Sequence, residues 1–278
     1  SHERYAEKLR DPYPEMNLNK LYLHLTFDCP LRCAHCYARG GERRMDELSP
    51  ERFTGIVREA IDRRFRSVVF TGGEPLVYPR IDQLLAQIQK LDRKGVRFIL
   101  RSSFAFKISD ERLSAIFGTF DEIVVSVDGG RESHDARRGA GSYELMVTNL
   151  ERAIALFGSE KIGLAATLSE SDRNGEPVES VRALAHRLNI GNVRIRPILP
   201  LGRGTGAAQK GNSATCSEEL SLPSRFQTRY TCGLGQNLYV EPDGSAYPCY
   251  AWAEREKRLG ELSRENLGEL LDRGQLYE

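Results

Sequence analysis

Six short apolar runs, separated by amphipathic stretches, limit the folds open to this chain more than any other feature. Leu21–Thr26 (LYLHLT), Ser67–Thr71 (SVVFT), Arg97–Ser102, Ile123–Val127, Lys161–Thr167 and Val193–Pro197 each read as a strand. Between them, apolar residues recur at helical spacing. Ile81, Leu84, Leu85, Ile88 and Leu91 form one stripe in a helix expected over Ile81–Arg93, which Gly95 closes. Ser49-Pro50-Glu51 supplies an N-cap and first turn for a helix running to about Arg64. Further helices are expected over Asp110–Phe117, Tyr143–Phe157 and Val178–Leu188. Parallel strands need long crossovers, usually helices, so this alternation predicts an α/β fold of parallel βα units. Six units fall short of an eightfold barrel, and the expectation is an open, partial (β/α)6 barrel. Working residues in such sheets gather at the C-terminal ends of the strands. Three motifs sit there: a cysteine loop after the first strand, TGGEP after the second and SVDGG after the fourth.

The pattern changes after Pro200. LGRGTGAAQKGNSATC is rich in Gly, Ser and Ala and reads as a linker or loop. LYVEPDGSAYPC reads as a β-hairpin with Pro242-Asp243-Gly244 at its turn, and Asn266–Asp272 as a last helix. The expected division is an N-terminal extension over residues 1–20, a barrel over 21–200 and a small hairpin-and-helix domain over 201–278. There is no internal repeat.

The chemistry is set by cysteines. CPLRCAHCY, from Cys29 to Tyr37, holds three of the six in the chain; Cys216, Cys232 and Cys249 lie near the end. The N-terminus lacks the apolar core of a signal peptide and no apolar run reaches the length of a membrane span, so a cytoplasmic location is expected. Clustered thiols in that setting point to metal or redox chemistry rather than to disulfides. The net charge of +1 gives no broad electrostatic case for nucleic acid or an acidic membrane as a partner. Thiolates are the soft ligands preferred by zinc and by iron–sulfur clusters. Structural zinc wants four ligands, and His35 is the nearest candidate for a fourth, awkwardly placed between two of the cysteines. Three cysteines on a cubane instead leave one iron open.

CxxxCxxC in a loop after the first strand resembles the radical SAM superfamily, and Thr71-Gly72-Gly73-Glu74-Pro75 after the second strand is similar to that family's GGEP motif. The resemblance covers roughly Leu21 to Pro200. It implies that Cys29, Cys33 and Cys36 hold a 4Fe–4S cluster whose open iron binds the amino and carboxylate groups of S-adenosylmethionine (SAM). Gly72 and Gly73 would let backbone approach the methionine portion, with Glu74 near its amino group. The same resemblance puts His35 and Tyr37 near the adenine, and Ser102 or Ser103 near the ribose or carboxylate. Ser126 and Asp128 would lie at the end of the fourth strand, and Arg137 or Arg138 would reach the SAM carboxylate.

Eleven residues separate Cys232 from Gly244 and four separate Gly244 from Cys249. That spacing resembles the opening of SPASM and twitch domains, which hold auxiliary iron–sulfur clusters. No cysteine follows Cys249, so at most one auxiliary 4Fe–4S cluster is implied. Cys216 would be its third protein ligand, a free thiol acting as hydrogen donor, or an unligated loop residue. RPILPLGRG, Arg196–Gly204, resembles the join between barrel and auxiliary domain.

The activity implied is reductive cleavage of SAM to a 5′-deoxyadenosyl radical, which removes a substrate hydrogen. An oxidative cross-link or epimerisation in a ribosomally made peptide leads. The alternative is dehydrogenation or epimerisation of a sugar or aminocyclitol; an iron–sulfur carrier or redox binding module is the non-enzyme reading. An electron donor such as flavodoxin or ferredoxin is the implied partner.

Overall fold

The computed structural model describes residues 19–41, 46–172, 175–205, 237–248, 250 and 258–272. Nine strands form one sheet in the order β6-β5-β4-β3-β2-β1-β7-β8-β9. They are β1 (Lys20–His24), β2 (Ser67–Thr71), β3 (Arg97–Ser102), β4 (Glu122–Ser126), β5 (Ile162–Leu168), β6 (Asn192–Pro197), β7 (Asn237–Val240), β8 (Ser245–Tyr247) and β9 (Gly260–Glu261). Neighbours from β1 to β6 pair in parallel, as the alternation requires.

Helices α1 (Pro50–Asp62), α2 (Ile81–Ile88), α3 (Asp110–Thr119), α4 (Arg131–Arg138), α5 (Ser142–Phe157) and α6 (Glu176–Arg187) connect the strands. Ser49 caps α1 by accepting from the Arg52 N–H at 3.2 Å, the cap its sequence calls for. Phe53, Ile56 and Val57 on its buried face are fully covered, each contributing about 1.5–3 kcal/mol by leaving water. α2 is shorter than expected. Beyond Ile88 the chain tightens, with Lys90 and Leu91 N–H groups donating three residues back before the turn at Lys94 and Gly95.

Each barrel strand has two faces. Leu21, Leu23, Val68, Phe70, Phe98, Leu100, Ile123 and Val125 point to the helices and join the main core. Tyr22, Val69, Ile99 and Val124 point the other way, with Ala165 and Tyr239 beside them, and line the inner face. The period-2 side-chain alternation makes that division.

The hairpin forms where its turn residues put it, with β7 and β8 antiparallel. β7 also pairs in parallel with β1, Leu238 opposite Leu21 and Tyr239 opposite Tyr22. Leu267, Leu270 and Leu271 of α7 (Leu267–Asp272) enter the same core as α1. The described part of the C-terminal segment therefore extends the barrel sheet.

Candidate active site

The site is built where the loops after β1, β2 and β4 meet. Gly73 and Glu74 N–H groups donate to the Thr26 and Asp28 carbonyls at 2.8 and 2.9 Å. A Cβ at Gly72 would lie 2.4 Å from the Thr26 oxygen, and one at Gly73 would lie 2.4 Å from that of Asp28. Only glycine lets the two backbones touch, so the Gly-Gly pair here locks TGGEP onto the entrance of the cysteine loop.

Glu74 is fully buried. Its carboxylate accepts from Ser102 Oγ (2.8 Å), Ser103 N (2.8 Å), Ser103 Oγ (2.7 Å) and Leu76 N (3.3 Å). Burial raises its pKa and the serine and backbone donors oppose the rise. Ser102 and Ser103 thus meet Glu74, tying the end of β3 to the loop after β2.

In the cysteine loop, Cys33 is buried while Cys29 and Cys36 are half-buried. The Leu31 and Gly40 N–H groups donate to the Cys29 and Cys36 sulfurs, each at 3.4 Å. Such N–H···S bonds favour sulfur carrying negative charge, as in iron–sulfur ligation. Burial pushes the Cys29 thiol up to about 12 and raises that of Cys33 as well. Ligation of a metal centre by these thiols would therefore be coupled to proton release. Among the described residues, no three His, Cys, Asp or Glu side chains converge on a single ion. Three thiols on one loop are a donor set of the kind that iron–sulfur clusters take.

Beside the loop, Asp128 is completely buried and pairs with Arg138 Nε at 2.5 Å and His35 Nε2 at 3.3 Å. Its other oxygen accepts from Thr167 N at 2.8 Å. Burial works against this carboxylate, but Arg138, His35 and Thr167 prevail and hold its pKa below the usual range. His35 is pushed down to about 4, first by burial and then by Arg138, Arg137 and Arg203, so its ring is neutral. Its Nδ1 is buried without a partner, a polar atom left for a ligand to meet. His134 Nδ1 accepts from Asp128 N at 3.2 Å. Arg137 donates to the Asp128 carbonyl at 2.8 Å and pairs with Asp172 at 2.8 Å. Tyr37 sits edge-on to Tyr250, with centroids 4.4 Å apart, and the Tyr250 hydroxyl donates to the Tyr37 carbonyl at 2.8 Å. Ser126 ends β4, half-buried, at the inner-face position two residues beyond Val124.

A contributor absent from the sequence reading is Arg203, in the segment that resembles a domain join. Its Nε donates to the Cys33 carbonyl and its Nη2 to the Gly40 carbonyl, both at 2.8 Å, while its N–H donates to the Cys36 carbonyl at 3.0 Å. One arginine thus braces three points of the cysteine loop. Its only sequence signal is a position between two glycines just after the sixth strand, which does not distinguish it from a turn residue. A cleft of about 650 Å³ is lined by Pro30, Leu31, Arg32 and Ala34 of the cysteine loop and by the α4–α5 junction, and none of the inner-face side chains lines it. Cys216, Cys232 and Cys249 lie outside the described residues.

A family model described as the radical SAM superfamily matches residues 23–174. Mycofactocin maturase MftC of Mycobacterium tuberculosis (strain ATCC 25618 / H37Rv) is 32% identical over 184 residues, covering 65% of this chain and 45% of that protein. The antilisterial bacteriocin subtilosin biosynthesis protein AlbA of Bacillus subtilis (strain 168) is 23% identical over 266 residues, covering 86% of this chain and 57% of that protein. The chain thus spans about half the length of these relatives. Among solved structures, Streptococcus suis SuiB bound to its precursor peptide SuiA superposes with a TM-score of 0.73 at 14% identity, over 97% of this chain and 67% of that one. That likeness shows the shared partial-barrel fold.

Proposed function

The chain belongs to the radical SAM superfamily, and from that premise we propose that it modifies a ribosomally made peptide, by oxidative cross-linking or epimerisation. The family implies a 4Fe–4S cluster and SAM. When bound together and reduced by one electron, they supply a 5′-deoxyadenosyl radical able to take hydrogen from an unactivated carbon. The chain's own residues position that chemistry. Cys29, Cys33 and Cys36 would ligate the cluster, on a loop held by TGGEP from one side and Arg203 from the other. The Gly72-Gly73-Glu74 segment, His35, Tyr37, Ser126 and Arg138 would hold SAM. Asp128 would act through His35 and Arg138, fixing both side chains.

The observation that carries the peptide reading is the nature of the relatives: a mycofactocin maturase, a subtilosin biosynthesis protein and a structure bound to a precursor peptide. An auxiliary cluster on Cys216, Cys232 and Cys249 would accept the substrate electron in an oxidation. It rests on their spacing and on the hairpin formed around Gly244. An electron donor of the flavodoxin or ferredoxin kind and a cytoplasmic setting go with this reading. Among the described residues, no helix is long and apolar enough to cross a membrane.

The test is coexpression with short peptides encoded in the same genome, read by mass spectrometry in D2O. Loss of two hydrogens signifies oxidation or cross-linking, and one deuterium gained at an α-carbon signifies epimerisation. Unmodified peptides, with turnover of an aminocyclitol or sugar by the purified protein, would overturn the peptide assignment.

A further inference from the structure

The inner face of the barrel carries an arginine and an imidazole with buried nitrogens that the fold leaves without hydrogen-bond partners. Arg101 lies on β3 two residues beyond Ile99 and so projects to that face. Its Nε is buried with no hydrogen-bond partner. Its guanidinium carbon lies 5.4 Å from the centre of the Tyr22 ring, which itself stacks on Tyr239 at 4.3 Å. His24, on the same face of β1, is 1% exposed and neither ring nitrogen has a partner. Its ring stacks on Tyr250 at 5.5 Å, with Tyr37 and Tyr239 edge-on at 6.1 Å.

The carboxylates nearby are already matched. Glu122 pairs with Arg97 and Arg194 and accepts from Asn192. Asp128 is taken by Arg138, His35 and Thr167. Among the described residues, no carboxylate makes an ion pair with Arg101. A buried donor without an acceptor is costly to a fold, and the Arg101 Nε is such a donor.

We propose that Arg101, with His24 beside it, seats a carboxylate of the substrate inside the barrel, next to the SAM site. The inference rests on the radical SAM reading above and adds the chemical group that the substrate must present. A guanidinium matches a carboxylate with two parallel hydrogen bonds. Burial, and then Arg101 itself, push His24 down to about 3, so its neutral ring has one N–H to donate to the same anion. Tyr22 lies beside the guanidinium, and Tyr37, Tyr239 and Tyr250 surround the imidazole. The carboxylate could sit on an acidic side chain or at a chain terminus, and SAM carries one of its own; the experiment separates the three.

Reconstituted, SAM-loaded protein would be titrated calorimetrically with three probes: N-acetylphenylalanine, N-acetylaspartic acid 1-amide and the neutral N-acetylphenylalaninamide. We expect one of the acids to bind about tenfold tighter than the neutral amide, the scale of a charge-assisted pair. Which acid does so identifies a terminal or a side-chain carboxylate. Arg101→Gln should abolish the preference while iron content and SAM affinity hold. The proposal is overturned if the wild type prefers neither acid, if the preference survives Arg101→Gln, or if that variant loses SAM affinity instead, which would assign the seat to SAM. If Arg101→Gln does not fold, Arg101→Lys keeps the charge and loses the planar fork: a weakened preference supports the seat and an undiminished one overturns it. SAM cleavage without any peptide reports on the radical SAM reading independently of these outcomes.

Discussion

Asp128 is the residue on which the polar half of the site turns. A fully buried carboxylate survives because Arg138, His35 and the Thr167 N–H surround it. Arg138→Met should therefore leave an uncompensated buried charge and cost about 3–5 kcal/mol in chemical denaturation. Adding Asp128→Asn should recover part of that loss; a double variant as unstable as the two single losses summed would show that the pair is not coupled. At this scale the cysteine loop and the Gly-Gly pair stood out in the sequence through their resemblance to the family's CxxxCxxC and GGEP motifs. The Gly72 and Gly73 backbones, however, meet Thr26 and Asp28 rather than open space, and Ser102 and Ser103 meet Glu74. Those partners lie far apart in sequence and no local pattern announces them.

Among the elements, the strands were legible because their apolar runs are short and bounded. α4 was not. RESHDARR has no apolar stripe, so the periodicity that reveals a buried helix is missing. Polar contacts hold it instead: His134 to the Asp128 N–H, Arg137 to the Asp128 carbonyl and Arg138 to the Asp128 carboxylate. The segment after β6 hid its role in the same way, reading as a Pro/Gly strand end while Arg203 braces the cysteine loop. Arg203→Met removes two side-chain hydrogen bonds from that loop, each worth about 0.5–1.5 kcal/mol. The variant should fold and, after anaerobic reconstitution and desalting, retain less iron than the wild type. Equal iron content and an unchanged EPR signal would show that the brace does not support the cluster.

For the molecule as a whole, the alternation of strands and helices predicted the parallel sheet, but not where the hairpin docks. β7 lies beside β1, more than two hundred residues earlier in the chain, and such long-range pairing leaves no mark in either segment alone. The consequence is that the hairpin edge and the cysteine loop share one strand, and Tyr239 and Tyr250 close over the inner face near His24. The central claim is that this assembly presents three thiols to a cluster that cleaves SAM. The direct measurement is anaerobic incubation of the reconstituted protein with SAM and dithionite, with 5′-deoxyadenosine and methionine quantified by chromatography, alongside the Cys29→Ala/Cys33→Ala/Cys36→Ala variant. Wild-type protein should release 5′-deoxyadenosine and the triple variant none. Cleavage that persists in the triple variant would contradict the account.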